Sequence, residues 1–120
     1  MKRILIVDDE PTIREPLREA FEGAGFSVTC AQEKEEAEAL LATRRFDFVI
    51  SDLRLGDLFG FSGLNVISEA VKRVGSNNVL AIAGQASREV ESAVHLEGVS
   101  LLRKPFPLNQ CVALCSALLG

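Results

Sequence analysis

Phe46-Asp47-Phe48-Val49-Ile50-Ser51-Asp52-Leu53-Arg54 is the stretch on which the fold turns. Its apolar run, centred on Val49 and Ile50, ends in a carboxylate, Asp52, and glycine-rich polar sequence follows through Gly56, Asp57 and Gly63. A short apolar run bounded by turn signals reads as a buried strand of a parallel sheet. A carboxylate just past such a strand lies at the carboxyl edge of the sheet, where open α/β folds bind ligands. Taken alone, an Asp in that place is most simply a turn residue. The rest of the chain gives it company.

Working outward, four more apolar runs resemble the Phe46–Ile50 run: Ile4–Val7, Phe26–Cys30, Val79–Ala83 and Val99–Leu102. Amphipathic segments separate them. Ile13, Leu17, Ala20, Phe21 and Ala24 form a first helical stripe, with Thr12 and Glu15 spaced as a capping box, Pro16 at the first interior position, and Gly23 and Gly25 ending the helix. A second helix carries Ala37, Leu40 and Leu41 on one face and Glu33, Glu35, Glu36 and Glu38 around the rest, acids that suit a helix N-terminus. Leu64, Ile67, Val71 and Val74 mark a third helix, Val90, Ala93 and Val94 a shorter fourth, and Leu108, Cys111, Cys115 and Leu118 a fifth. Strands alternating with helices predict βαβ units and a parallel sheet covered on both faces. The expected fold is α/β, a doubly wound (βα)5 unit with strand order 2-1-3-4-5. No repeat or linker interrupts it, so residues 1–120 are expected to form one domain.

A net charge of −4 argues against direct contact with nucleic acid. Met1-Lys2-Arg3 precedes only four apolar residues, too few for a secretory signal, and no run approaches the length of a membrane span. The expectation is a cytoplasmic protein. Cys30, Cys111 and Cys115 form no metal-binding spacing with the single histidine, His95, and read as reduced thiols packed as small hydrophobes.

The chemistry gathers at three strand ends. Asp8, Asp9 and Glu10 follow the first strand, Asp52 the third, and Arg103, Lys104 and Pro105 the fifth. In a 2-1-3-4-5 sheet these ends share one edge, with the switch point between strands one and three. Two carboxylates about 4 Å apart repel by roughly 4 kcal/mol at an effective dielectric near 20. Three together raise their own pKa values unless a positive group sits among them. A hard divalent cation such as Mg²⁺, held by carboxylates and water, answers that need, and Lys104 adds a fixed charge.

Ile-Val-Asp8-Asp9-Glu-Pro, Val-Ile-Ser-Asp52-Leu-Arg-Leu and Lys104-Pro105-Phe106 together resemble the receiver domain of bacterial two-component response regulators, over nearly the whole chain. The resemblance implies a flavodoxin-like fold. It implies that Asp52 accepts a phosphoryl group from a sensor histidine kinase or phosphotransfer protein. Asp8, Asp9, Asp52 and the backbone carbonyl of Arg54 would hold Mg²⁺, and Lys104, on a typically cis Lys-Pro bond, would stabilise the phosphoryl group. Such a domain is not an enzyme beyond its own phosphorylation and dephosphorylation. It signals to a downstream effector the sequence does not name.

The chain also departs from the family. Alignment puts Ala83 where a Ser or Thr hydroxyl is usual and Leu101 where an aromatic switch residue is usual. Gln85 and Ser87 are the candidate auxiliary donors nearby. The 56–63 segment is about three residues longer than the family pattern and carries Phe59 and Phe61, read either as a docking lip or lid or as side chains folded back. The stretch before Lys104 is one residue short. Ala83 and Leu101 favour an alternative, a receiver-like interaction module that signals without phosphorylation. Two other classes fit poorly. A haloacid-dehalogenase-like phosphatase would need an Asp where Arg54 stands, and an FMN protein would need a phosphate loop where Asp8-Asp9-Glu10-Pro11 would repel one.

Overall fold

A computed structural model describes residues 1–56 and 61–120. Its elements run β1 (Arg3–Val7), α1 (Pro11–Gly23), β2 (Ser27–Ala31), α2 (Lys34–Thr43), β3 (Phe48–Asp52) and α3 (Phe61–Val74). A 3₁₀ turn (Ser76–Asn78) then leads into β4 (Val79–Ala83), α4 (Arg88–Leu96), β5 (Ser100–Arg103) and α5 (Leu108–Leu119). All four strand pairings are parallel and the order is β2-β1-β3-β4-β5, as the alternation of runs predicted. No helix among the described residues is long and apolar enough to cross a membrane.

The period-2 alternation of strand side chains builds two cores. Ile4, Ile6, Phe48, Ile50, Leu80 and Ile82 face one way, onto Leu17 and Phe21 of α1 and Cys111 and Cys115 of α5. Leu5, Val7, Val49, Ala81 and Ala83 face the other, onto Ala37 and Leu41 of α2, Ile67 and Ala70 of α3, and Val90 and Val94 of α4. With helices on both faces the central strands have no wet side, which is why β3 and β4 are buried from end to end. All three cysteines are free thiols, two of them buried in the α5 seam as expected. Burial pushes the Cys111 and Cys115 thiols up to about 12.

Several boundaries differ from the sequence reading. Strand β3 starts at Phe48 and takes in Asp52, so the carboxylate is the last strand residue, not the first loop residue. Phe46 is buried outside the strand, where Asp47 bridges to β1: its N–H donates to the Arg3 carbonyl and its Oδ2 accepts the Arg3 N–H, both at 2.8 Å. Strands β2 and β5 sit one residue later than read. The capping box on Thr12 does not form. Helix α1 begins at Pro11, whose fixed φ and missing N–H suit the first helical position, and Pro16 lies well inside the helix. Helix α3 begins at Phe61, so the segment read as a loop to Gly63 is helical in its last part. The reading of the Phe59 and Phe61 side chains lies outside the described residues.

Glycine matters at two kinds of place. Gly25 (φ +94) and Gly98 (φ +75) end α1 and α4 in Schellman turns, with Phe26 N–H donating to the Phe21 carbonyl and Val99 N–H to the Val94 carbonyl. Each turn is backed by an apolar contact or pair: the Phe21 and Phe26 rings meet edge-on at 5.5 Å, and Val94 and Val99 are both buried. Gly63 serves a different end. A Cβ there would collide with the Asp52 carbonyl oxygen and the Leu53 main chain, so only glycine lets α3 close on the end of β3.

Candidate functional site

The topology brings β1, β3, β4 and β5 to a common carboxyl edge, and each delivers one part of a cleft. Leaving β1, Asp8 donates its N–H to the Ala31 carbonyl at 3.1 Å and accepts the Glu10 N–H on Oδ1 at 2.9 Å. Asp52 ends β3 and accepts the Arg54 N–H on Oδ1 at 3.1 Å. Lys104 follows β5, donates its N–H to the Ala83 carbonyl at 2.8 Å, and precedes a cis bond to Pro105. Asp9, Glu10, Asp52, Arg54, Gly56, Gly84, Gln85 and Lys104 line the resulting cleft of about 420 Å³.

The charges converge as the strand ends implied. The Lys104 ammonium lies 2.8 Å from Asp52 Oδ2, 3.2 Å from Asp8 Oδ2 and 3.2 Å from Glu10 Oε1. One carboxylate oxygen from each of Asp8, Asp9, Glu10 and Asp52 falls within 4.8 Å of the other three. Asp8 is fully buried and Asp52 is 3% exposed. Burial pushes the Asp8 carboxyl up to about 6, helped by the Asp52 charge and opposed by the Glu10 N–H and Lys104. Asp52 is raised too, again by burial first, against the Lys104 and Arg54 bonds that hold it down. Burial alone would pull the Lys104 pKa down, but its hydrogen bond to Asp52 and the surrounding carboxylates outweigh that and raise it.

Among the described residues the cluster therefore carries four carboxylates against one amine. Asp8 Oδ2 is buried and accepts no hydrogen bond, although the Lys104 charge is near. A buried carboxylate oxygen without a donor is costly. An all-oxygen set beside an orphaned carboxylate oxygen fits a hard divalent cation, and does not fit a soft metal.

At the departures the structure separates two candidates. Ala83 ends β4, buried, and offers no hydroxyl to the cleft. Gln85 lines the cleft, whereas the Ser87 side chain caps α4 by accepting the Val90 N–H at 3.2 Å. Ser87 is not among the residues that line the cleft. Leu101 pairs with Ala81 and packs against the core between the sheet and α2–α4. Arg103, grouped with Lys104 by sequence, points to α4 instead: its guanidinium makes a two-pronged pair with Glu91, with Nη1 at 2.7 Å from Oε2.

Sequence places Glu10 with Asp8 and Asp9 at the end of β1 without a role for it, and in the structure its side chain joins the cluster and reaches Lys104. Arg14 was not read as part of any site. It lies at 8% exposure on the buried stripe of α1 and donates from Nη1 to the Asp8 carbonyl at 2.9 Å. Its one signal in sequence is a charged residue three before Leu17 and seven before Phe21, on the stripe that packs inward.

Comparison with known proteins agrees with this geometry. The family profile described as the response regulator receiver domain matches residues 4–116. The alginate biosynthesis transcriptional regulatory protein AlgB of Pseudomonas aeruginosa is 36% identical over 109 residues, which are 90% of this chain and 24% of that protein. The chain spans about a quarter to a half of the length of the curated relatives it matches. A CheY-like response regulator receiver domain protein from Methanospirillum hungatei superposes with a TM-score of 0.88 at 25% identity, covering 99% of this chain and 94% of that one. A Burkholderia pseudomallei response regulator, solved with a phosphorylated aspartic acid, a calcium ion and citrate, gives 0.82 at 28% identity, over 96% of this chain and 66% of that one.

Proposed function

The chain belongs to the response regulator receiver domain family, and we propose that it accepts a phosphoryl group on Asp52 in a Mg²⁺-dependent reaction and passes the signal on through its surfaces. The observation that carries this reading is the Lys104 ammonium 2.8 Å from the Asp52 carboxylate, inside a ring of three further carboxylates. A sensor histidine kinase or phosphotransfer protein is the donor, the effector is a protein or domain still to be identified, and the setting is cytoplasmic. The Burkholderia pseudomallei response regulator was solved with a phosphorylated aspartic acid and a calcium ion, which supports the same assignment here.

The reaction needs little from the protein besides position and charge. Asp52 Oδ attacks the phosphorus of the donor, forming an acyl phosphate while the bond to the donor's leaving atom breaks. Lys104, already beside Asp52 Oδ2, offsets the charge that spreads onto the phosphoryl oxygens. The Arg54 N–H on Oδ1 fixes the carboxylate, whose Oδ2 accepts from Lys104. Asp8, Asp9, Asp52 and the Arg54 carbonyl would hold Mg²⁺, whose part when bound is to neutralise the carboxylates and the incoming phosphoryl group. Gln85 is the neutral side-chain donor on the cleft wall at the end of β4, where Ala83 supplies none.

The alternative reading, interaction without phosphorylation, rests on Ala83 and Leu101. The intact set of Asp8, Asp9, Asp52 and Lys104 supports the phosphorylated reading over it. Borohydride trapping tests the assignment, because it reduces an aspartyl phosphate to homoserine. After treatment with a small acyl phosphate and Mg²⁺, peptide mapping should find homoserine at position 52. Homoserine elsewhere, or none, would remove Asp52 from the role.

A further inference from the structure

Arg14 occupies a position that the packing of α1 reserves for an apolar side chain. The stripe Arg14, Leu17, Phe21 is the buried face of the helix, and the Arg14 side chain is only 10% exposed. A buried guanidinium is retained at a cost unless its donors are satisfied. Here Nε reaches Glu15 Oε2 at 3.2 Å, and Nη1 donates to the main-chain carbonyl of Asp8 at 2.9 Å.

That second bond completes the immobilisation of Asp8. Its N–H is held by the Ala31 carbonyl, its Oδ1 by the Glu10 N–H and its carbonyl by Arg14. The polar atom left without a hydrogen bond is Oδ2, which is buried 3.2 Å from the Lys104 ammonium. We infer that Arg14 is the positioning residue of the acidic cluster: by holding the Asp8 carbonyl it fixes the β1–α1 turn, and so keeps the Asp8 carboxylate turned toward Lys104 and the other acids, where a cation would be held. The consequence for Mg²⁺ rests on the function proposed above, whereas the clamp itself does not. Groups that orient metal ligands typically change affinity by roughly 10- to 100-fold when removed.

The test compares the full chain with Arg14→Met, which keeps the apolar stem and loses the donors, and with Arg14→Lys, which keeps charge but not the planar fork. Glu15→Gln serves as a control that leaves the carbonyl contact in place. Two quantities are read at a temperature where melting curves show each variant folded. The first is hydrogen exchange of the Glu10 amide without metal. It should quicken at least about tenfold in Arg14→Met while β4 amides are unchanged. A purely structural loss would speed both. The second is the Mg²⁺ dissociation constant by calorimetry, expected to weaken roughly tenfold or more in Arg14→Met, less in Arg14→Lys, and not in Glu15→Gln. Should Arg14→Met fail to fold, Arg14→Lys carries the test alone. Unchanged Glu10 exchange in the folded variant would overturn the inference. If wild type binds no Mg²⁺ while Glu10 exchange still quickens, the clamp stands and the proposed function falls.

Discussion

Asp8 shows how a single residue ties the site's electrostatics to the stability of the fold. Its carboxyl titrates near 6, above its ordinary 3.8, because burial disfavours the charged form. A raised carboxyl means that the folded chain holds the proton more tightly than the unfolded one. Its contribution to stability is therefore fully present below about pH 3.8 and is lost as pH rises through about 6. Without metal, Asp8→Asn should melt about 5 °C above wild type at pH 8, and thermal melts at pH 5 should show that gap closing. Mg²⁺ should reverse the order at pH 8, because it stabilises the charged ligand set, and its apparent affinity should fall as the pH drops through about 6. An Asp8→Asn variant no more stable than wild type at pH 8 without metal would contradict the assignment of burial as the dominant cause.

Among the elements, α3 and α4 are fixed to the site in different ways, and the difference predicts how each responds. Helix α3 closes on β3 through Gly63, with no room for a methyl against the Asp52 and Leu53 main chain. Gly63→Ala should cost roughly 2 kcal/mol or more by overpacking and should slow phosphoryl uptake by displacing Asp52, with denaturant unfolding and adduct formation as the two readouts. Strand β4 ends in Ala83, which has no hydroxyl, and α4 is held by the Ser87 cap, by Glu91 on Arg103, and by Ser68 donating to Glu97 at 2.5 Å. A beryllium fluoride complex should therefore shift amide signals over residues 83–90 less in wild type than in Ala83→Thr. Equal shifts would mean that the absent hydroxyl is irrelevant. Sequence periodicity made every strand and helix legible, because full burial on both sheet faces leaves few ways to place such runs. It missed the start of α1, which begins at Pro11, and the end of β3, where pairing to β4 carries the strand through Asp52.

For the molecule as a whole, the order β2-β1-β3-β4-β5 brings together charges that lie 94 residues apart in sequence, as Glu10 and Lys104 do. The convergence of Asp8, Asp9, Asp52 and Lys104 was legible because motif spacing reports strand ends. Arg14 and the reach of Glu10 were not, because a side chain's direction within a turn is set by packing that no periodicity records. The central claim is that this convergence exists to take a phosphoryl group at one atom. Intact-mass spectrometry after incubation with a small acyl phosphate and Mg²⁺ tests it most directly. The account predicts one phosphoryl adduct on wild type, absent when Mg²⁺ is chelated and absent from Asp52→Asn. No adduct on wild type at saturating donor, or an adduct that persists in Asp52→Asn, would contradict it.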